Sequence, residues 1–170
     1  IIIVPSRELA LQIETVFKSL GLGLKATCCY GGHKVEIEEN NLRQAPALII
    51  GTPGRLADHI RRGNITNASI KTLVLDEFDK SLELGFHEEM AFVIESLPNI
   101  TNRMLTSATR IGIIPEFVGL RNLQVLDFVS NSEAEENKLA VQVLHISEKD
   151  KLDSLFRLIC KLGNRSTIVF

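Results

Sequence analysis

The chain has 170 residues, of which 45% are hydrophobic and 24% charged, as in an ordinary globular protein with room for one α/β domain and the start of another. Its formal net charge of −2 excludes a global basic field, so any affinity for nucleic acid must come from local groups. The opening run Ile1–Val4 is too short for a signal-peptide core or a membrane span. Because it resembles the interior of a strand, we expect an upstream part of the protein to precede it.

Short apolar runs recur along the chain, and several are continuous, as in strands of a parallel sheet that is covered on both faces. The predicted strands are residues 1–4, 26–30, 47–50, 72–75, 104–106, 123–128, 141–146 and 167–170. Amphipathic stripes between many of them predict helices, with stops near Gly21, Gly63, Pro98 and Gly163. This alternation predicts a doubly wound α/β sheet with helices on both faces.

The polar and acidic stretch Ser130–Lys138 interrupts the alternation, and we interpret it as a linker. It separates a partial domain at residues 1–129 from the start of a second α/β unit at residues 139–170.

Cysteine and histidine positions do not indicate a metal site. Cys28, Cys29 and Cys160 contain no C-x-x-C pair, so we interpret them as small buried residues in a reducing compartment. The four histidines, at positions 33, 59, 87 and 145, lack the spacing of metal ligands. We predict that they are structural or surface residues.

Polar groups follow each of the first five predicted strands. They are Pro5-Ser6-Arg7-Glu8, Gly31-Gly32, Thr52-Pro53-Gly54-Arg55, Asp76-Glu77-Phe78-Asp79 and Ser107-Ala108-Thr109. In a parallel sheet these groups share the edge where ligands bind. Ser6 and Thr52 have the form of helix caps, and the amides that follow a cap attract phosphate. Each group alone is also explained by plain capping with a surface arginine; together they predict contacts to a sugar-phosphate backbone.

Asp76 and Glu77 are the most specific indication of chemistry in the sequence, because these two adjacent carboxylates follow the apolar strand Thr72–Leu75. In phosphoryl-transfer sites an Asp at this place holds Mg²⁺, and a neighbouring acid orients the attacking water as general base. The alternative is a solvated acidic strand end.

In order and rough spacing, these groups resemble the motifs of DEAD-box ATP-dependent RNA helicases. The matching segments are PSRELA from Pro5 (motif Ia), Gly31-Gly32 (GG), TPGR from Thr52 (motif Ib), VLDEFD from Val74 (motif II), SAT from Ser107 (motif III) and STIVF from Ser166 (start of motif IV). The resemblance implies an incomplete RecA-like, P-loop NTPase-type parallel sheet, followed by the start of a second RecA-like domain.

The resemblance also implies roles for individual residues. Asp76 would bind Mg²⁺ through water and Glu77 would activate the hydrolytic water, while Asp79, Ser107 and Thr109 would couple the ATP state to domain closure. The implied RNA-binding residues are Pro5, Ser6, Arg7, Gly32, Thr52, Gly54 and Arg55. The complete protein would use ATP and Mg²⁺, act on RNA with protein cofactors as further candidates, contact no membrane, and work in the cytoplasm or, in a eukaryote, the nucleus.

The chain departs from the family pattern in several places. Phe78 replaces the usual Ala and is expected to find apolar room against the following helix, while Ser6 replaces Thr and keeps the hydroxyl. No G-x-x-x-x-G-K-[ST] occurs, and the Q motif and later second-domain motifs are absent. We therefore predict that the 170-residue chain alone neither binds ATP tightly nor hydrolyses it. Without the P-loop strand, which lies beside the strand that carries SAT, the sheet would expose two unpaired strand edges in its middle. We therefore expect either a missing upstream segment in the parent protein or a rearranged, poorly stable fragment.

Two other functions stay open on the sequence alone. One is a non-catalytic RNA-binding or scaffold module, against which the retained acids argue. The other is a superfamily 2 helicase that acts on DNA, because backbone contacts do not identify the sugar.

Overall fold

A computed structural model describes residues 1–120, 123–128, 142–146 and 150–169. The chain divides into two units, Ile1–Leu123 and Gln124–Phe170. The predicted linker at residues 130–138 lies outside the described residues, as does Phe170.

The first unit contains a five-stranded parallel sheet, as predicted. Its strands are β1 (Ile2–Ile3), β2 (Ala26–Cys29), β3 (Leu48–Gly51), β4 (Thr72–Leu75) and β5 (Asn102–Leu105). They lie in the order β2-β3-β1-β4-β5, and every neighbouring pair is parallel. The chain crosses from β1 to the edge strand β2, returns inward to β3, and then passes β1 to reach β4 and β5. The connection that leaves β1 therefore runs opposite to those that leave its two neighbours, which places the switch point of the sheet at β1.

Five helices belong to this unit: α1 (Arg7–Ser19), α2 (Val35–Leu42), α3 (Pro53–Arg61), α4 (Phe78–Glu83) and α5 (His87–Glu95). Two 3-10 turns, Asn67–Ser69 and Glu116–Val118, complete it. Ser6 caps α1 as predicted, since its hydroxyl accepts a hydrogen bond from the Leu9 N–H at 3.2 Å. Thr52 precedes α3 but, within the described residues, makes no side-chain cap, so that part of the prediction is wrong. Pro53 fits the first turn of α3 without such a cap because it has no N–H to satisfy.

Helices cover both faces of the sheet, which explains why its strands are continuously apolar. Leu73 and Leu75 of β4 belong to the larger core with Leu56 of α3 and residues of α5. Ile50 of β3 lies in a second cluster with Ala10 of α1. All five side chains are nearly or fully buried.

Gly51 ends β3 at a crowded place, and its replacement by alanine gives a clear prediction. A Cβ there would lie 2.5 Å from the Cys29 carbonyl oxygen and 2.9 Å from the Leu56 side chain. We expect Gly51→Ala to lower the free energy of unfolding by about 1–3 kcal/mol through overpacking. Urea denaturation measures the effect. Gly112→Ala is the control, because in the described part of the chain its Cβ meets nothing within 4 Å; equal stability of the two variants would contradict the prediction.

Three expected strands are not seen in the described residues. Residues 123–128, 142–146 and 167–169 carry no strand in the structure. An extended apolar run becomes a strand only when a neighbour pairs with its backbone, and in the described residues these runs have none. The helix expected between the last two is confirmed as α6 (Leu152–Leu162) in the second unit.

The prediction of unpaired strand edges in the middle of the sheet is also wrong, because β1 to β5 form one uninterrupted sheet. β1 pairs with β3 on one side and with β4 on the other, so no interior strand lacks a neighbour. β5, which leads into SAT, pairs with β4 and lies at an edge among the described strands.

Among the described residues, no helix combines the length and apolar character required to cross a bilayer.

Candidate functional site

The strands end in register, and this alignment assembles the predicted site. Ile3 pairs with both Gly51 and Leu75, Cys29 pairs with Gly51, and Leu75 pairs with Leu105. Because all five strands run in the same direction, the groups that follow them lie along one carboxyl edge. The acids after β4 therefore share a rim with the loops after β1, β2, β3 and β5.

Asp76 is held at this rim by the residue that follows β5. The Thr106 hydroxyl donates a hydrogen bond to Asp76 Oδ1. Thr106 Oγ1 also accepts from the Glu77 N–H at 3.2 Å, and the Asp76 N–H donates to the Ile3 carbonyl at 2.9 Å. Thr106 was not among the predicted site residues, although a hydroxyl residue directly before SAT was the available signal. The contact fixes one carboxylate oxygen of Asp76.

Glu77 turns the chain sharply from β4 into α4. Its backbone is left-handed, with φ 46° and ψ 51°, a conformation that is unfavourable for a residue with a Cβ. The turn leaves Asp76 half-buried and Glu77 exposed, whereas Phe78 and Asp79 are buried. The two acids predicted to do chemistry are therefore accessible, and the next two residues are packed inside.

Asp79 joins motif II to SAT. The Thr109 hydroxyl donates to Asp79 Oδ2 at 2.8 Å, and Ser107 Oγ accepts from the Thr109 N–H at 3.2 Å. Burial acts to raise the pKa of Asp79, but hydrogen bonds from the side chains of Thr109 and Ser107 and from the backbone of Lys80 and Thr109 outweigh it, so the pKa lies below its usual value. The three residues predicted to act in coupling are thus in one network.

Phe78 is fully buried in the larger core. Its ring lies edge-on to Phe117, with 6.5 Å between the ring centroids. The expected apolar room exists, since Phe78 shares the larger core with residues of the following helix α5, and its aromatic partner comes from the 3-10 turn at Glu116–Val118.

The predicted RNA-binding residues occupy different environments. Pro5 is buried, whereas Arg7 is exposed with its guanidinium 5.2 Å from the centre of the Tyr30 ring. Gly32 has φ 98°, a backbone conformation that favours glycine. An open cavity of about 340 Å³ lies between the GG loop and the start of α3, and its lining consists of Gly31, Thr52, Gly54, Arg55, Asp58 and Phe86. Both predicted backbone-binding motifs after β2 and β3 therefore border one concave surface.

A buried carboxylate beneath this cavity was not predicted. Glu38 of α2 is 1% exposed, and its Oε1 accepts from the Tyr30 N–H at 2.9 Å and lies 3.0 Å from His33 Nε2. Its Oε2 lies 2.5 Å from His59 Nε2 and 3.4 Å from Arg55 Nε. The sequence offered no signal for this network, because its members are spread over the two helices α2 and α3 and the loop between β2 and α2.

Arg55 is largely buried, and its guanidinium is directed at the GG loop. Its Nε donates to the Tyr30 carbonyl at 3.2 Å, and Nη2 donates to the His33 carbonyl at 3.3 Å. The side chain is 14% exposed. Arg55 thus borders the cavity, and its Nε and Nη2 atoms are engaged by these hydrogen bonds and by the ion pair with Glu38.

His33 and His59 both contact the buried Glu38 and are structural residues, which is one of the two roles predicted for the histidines.

The three cysteines differ in burial. Cys28 is half-buried, Cys29 is buried and Cys160 is exposed, so the prediction of burial is wrong for Cys160 on α6. Burial raises the pKa of Cys28 to about 12 and also raises that of Cys29. Cys29 lies beside Glu38 and His59, with one ligand-type atom from each residue within 4.8 Å of the others.

Comparison with known proteins agrees with this geometry. The family model "DEAD/DEAH box helicase" matches residues 1–114. The chain is 35% identical over 176 residues to the ATP-dependent RNA helicase CshA of Limosilactobacillus reuteri, covering 100% of this chain and 35% of that protein. It is 37% identical over 112 residues to the ATP-dependent RNA helicase DeaD of Buchnera aphidicola subsp. Schizaphis graminum, covering 64% of this chain and 19% of that protein.

Solved structures give the same result. A DEAD box protein from Methanococcus jannaschii superposes with a TM-score of 0.62 at 33% identity, covering 65% of this chain and 31% of that one. A hypothetical ATP-dependent RNA helicase from Sulfolobus tokodaii also gives 0.62, at 29% identity, covering 69% of this chain and 35% of that one. The chain thus spans between about a fifth and a third of the relatives named here. Its parallel sheet is the RecA-like sheet of these helicases, and the chain belongs to the DEAD/DEAH box helicase family.

Proposed function

We propose that this chain supplies the magnesium-binding, water-activating and RNA-backbone motifs of an ATP-dependent RNA helicase that separates short duplexes or remodels RNA–protein complexes. The in-register strand ends carry the proposal, because they bring the acids after β4 to the same rim as the GG and TPGR segments. The printed names of the relatives support ATP as the cofactor and RNA as the partner.

The residues at the end of β4 fit a magnesium ion bound through water. Asp76 offers the hard oxygen ligands that Mg²⁺ prefers, and Thr106 orients one of them. When bound, magnesium-ATP supplies the phosphoanhydride bond and offsets phosphate charge. Glu77, exposed at the neighbouring position, orients the attacking water and accepts its proton.

The contact between Asp79 and Thr109 provides the coupling. Because Asp79 follows the acids on the same turn, a change at the end of β4 is transmitted to the SAT segment through this hydrogen bond. SAT in turn follows β5, so the two strands respond together. This is the proposed link between hydrolysis and domain closure.

RNA is held along the rim by groups that contact sugar and phosphate. Ser6 and Arg7 begin α1, Gly32 lets the backbone approach closely, and Thr52 and Gly54 border the cavity. Such contacts position a strand without reading its bases. Comparing stimulation of ATP hydrolysis by single-stranded RNA and by DNA of the same sequence decides between an RNA and a DNA helicase; equal stimulation by both favours a motor without RNA preference.

The isolated 170-residue chain is expected to release no phosphate from ATP above background, with or without RNA. No P-loop sequence occurs in it, and the backbone amides and lysine of such a loop are what hold the ATP phosphates. A phosphate-release assay of the purified chain, with a complete DEAD-box helicase as positive control, measures this. RNA-stimulated hydrolysis by the chain would contradict the prediction, and complete hydrolytic inactivity of the longer protein would favour the scaffold alternative.

A further inference from the structure

The buried Glu38 network connects the two loops that border the cavity. From α2, Glu38 holds the loop after β2 through the Tyr30 N–H and His33. It holds α3 through His59 and Arg55. One carboxylate, fully shielded from water, therefore joins the GG loop to the helix that begins with the TPGR residues.

The hydrogen-bonding direction at His59 is set by its neighbour Asn64. Asn64 Nδ2 donates to Glu39 Oε1 at 3.2 Å and lies 3.0 Å from His59 Nδ1. Turning the Asn64 amide over would place its oxygen against the Glu39 carboxylate, so the amide nitrogen faces both partners. His59 Nδ1 therefore accepts, and Nε2 carries the proton that is donated to Glu38. His59 is held as a donor to Glu38.

Arg55 completes the link. Its donors bind the carbonyls of Tyr30 and His33, the residues on either side of Gly31-Gly32, while its charge lies against Glu38. The guanidinium spans both ends of the GG loop.

We infer that Glu38 is a positioning residue for RNA binding, which acts through Arg55 to hold the GG loop at a set distance from the start of α3. The inference rests on the proposed function, since it assigns a purpose to the spacing of the same RNA-binding segments.

The test uses the complete helicase with a fluorescent single-stranded RNA and a non-hydrolysable ATP analogue. Fluorescence anisotropy over a series of salt concentrations measures RNA affinity for Glu38→Gln, Arg55→Lys and the double variant. Arg55→Lys keeps the charge beside Glu38 and so protects folding, but one ammonium group cannot reach both carbonyls. If Glu38→Gln does not fold, the RNA affinity of Arg55→Lys alone tests the inference.

We expect each single variant to bind RNA about tenfold more weakly, because hydrogen bonds to a charged group are lost. The double variant should be no weaker than either single variant, because the two residues act as one unit. Affinity for the ATP analogue and the salt dependence of RNA binding should stay unchanged. The matched control is Arg7→Gln, an exposed cation, which should lower the slope of log affinity against log salt by about 0.7.

Wild-type RNA affinity in Arg55→Lys would overturn the inference, because charge alone would then suffice. Additive losses in the double variant, or a parallel loss of ATP-analogue binding, would overturn it as well. A complete helicase that binds no RNA at all, even without substitutions, would instead refute the proposed function.

Discussion

Replacing Glu77 by glutamine in the complete helicase is expected to lower ATP turnover by about 10²–10⁴-fold, the usual contribution of a positioned general base. The amide keeps the shape of the side chain but does not accept a proton from water. Glu77 is exposed, so the substitution removes chemistry without opening the core. Steady-state phosphate release measures the turnover, and equilibrium titration with a labelled nucleotide should show that ATP binding is retained.

The control for this experiment is Glu83→Gln. Glu83 is the last residue of α4, is exposed, and pairs with Lys80 at 2.6 Å. It should leave turnover unchanged. Normal turnover in Glu77→Gln would contradict the role assigned to this acid.

Replacing Phe78 by alanine is expected to destabilise this chain by about 3–5 kcal/mol, the usual result of deleting a buried aromatic ring. The substitution restores the residue that resembling proteins usually carry, yet here the ring is 0% exposed and packs against Phe117. Its removal leaves a cavity that the surrounding strands and helices fill only in part. Chemical denaturation of the chain, monitored by circular dichroism, measures the loss.

Phe128→Ala provides the matched comparison. Phe128 is 82% exposed, so its removal should change stability by no more than about 0.5 kcal/mol. A Phe78→Ala variant as stable as the wild type would mean that the site collapses around the smaller residue. In that case Phe78 would be a tolerated departure without a packing role.

Local sequence was sufficient for the parallel sheet and its motif-bearing edge. Continuous apolar runs predict strands that are covered on both faces, and Ser6 before an amphipathic stripe predicts the start of α1. The acid pair after Leu75 is equally local, since a strand end and its next two residues are adjacent in the chain. These signals work because the physical cause and its effect lie within a few residues of each other.

Local sequence alone gives the wrong prediction at residues 123–128, 142–146 and 167–169, which were predicted as strands but carry none. Their apolar character is real, but a strand also requires a partner for its backbone N–H and C=O groups. Whether a partner exists depends on the rest of the sheet and is not written in the run itself. The uninterrupted order of β1 to β5 was likewise decided by pairing across the sheet.

By itself, the sequence determined which residues end the strands and so which chemistry gathers at the rim. Only the tertiary structure decided that Glu38 joins Arg55 to the GG loop, that Thr106 holds Asp76, and that Phe78 packs on Phe117. The physical reason is that hydrogen bonds and ring contacts form between residues brought together by the fold. Their separation along the chain leaves no periodic or adjacent pattern from which the contact could be predicted.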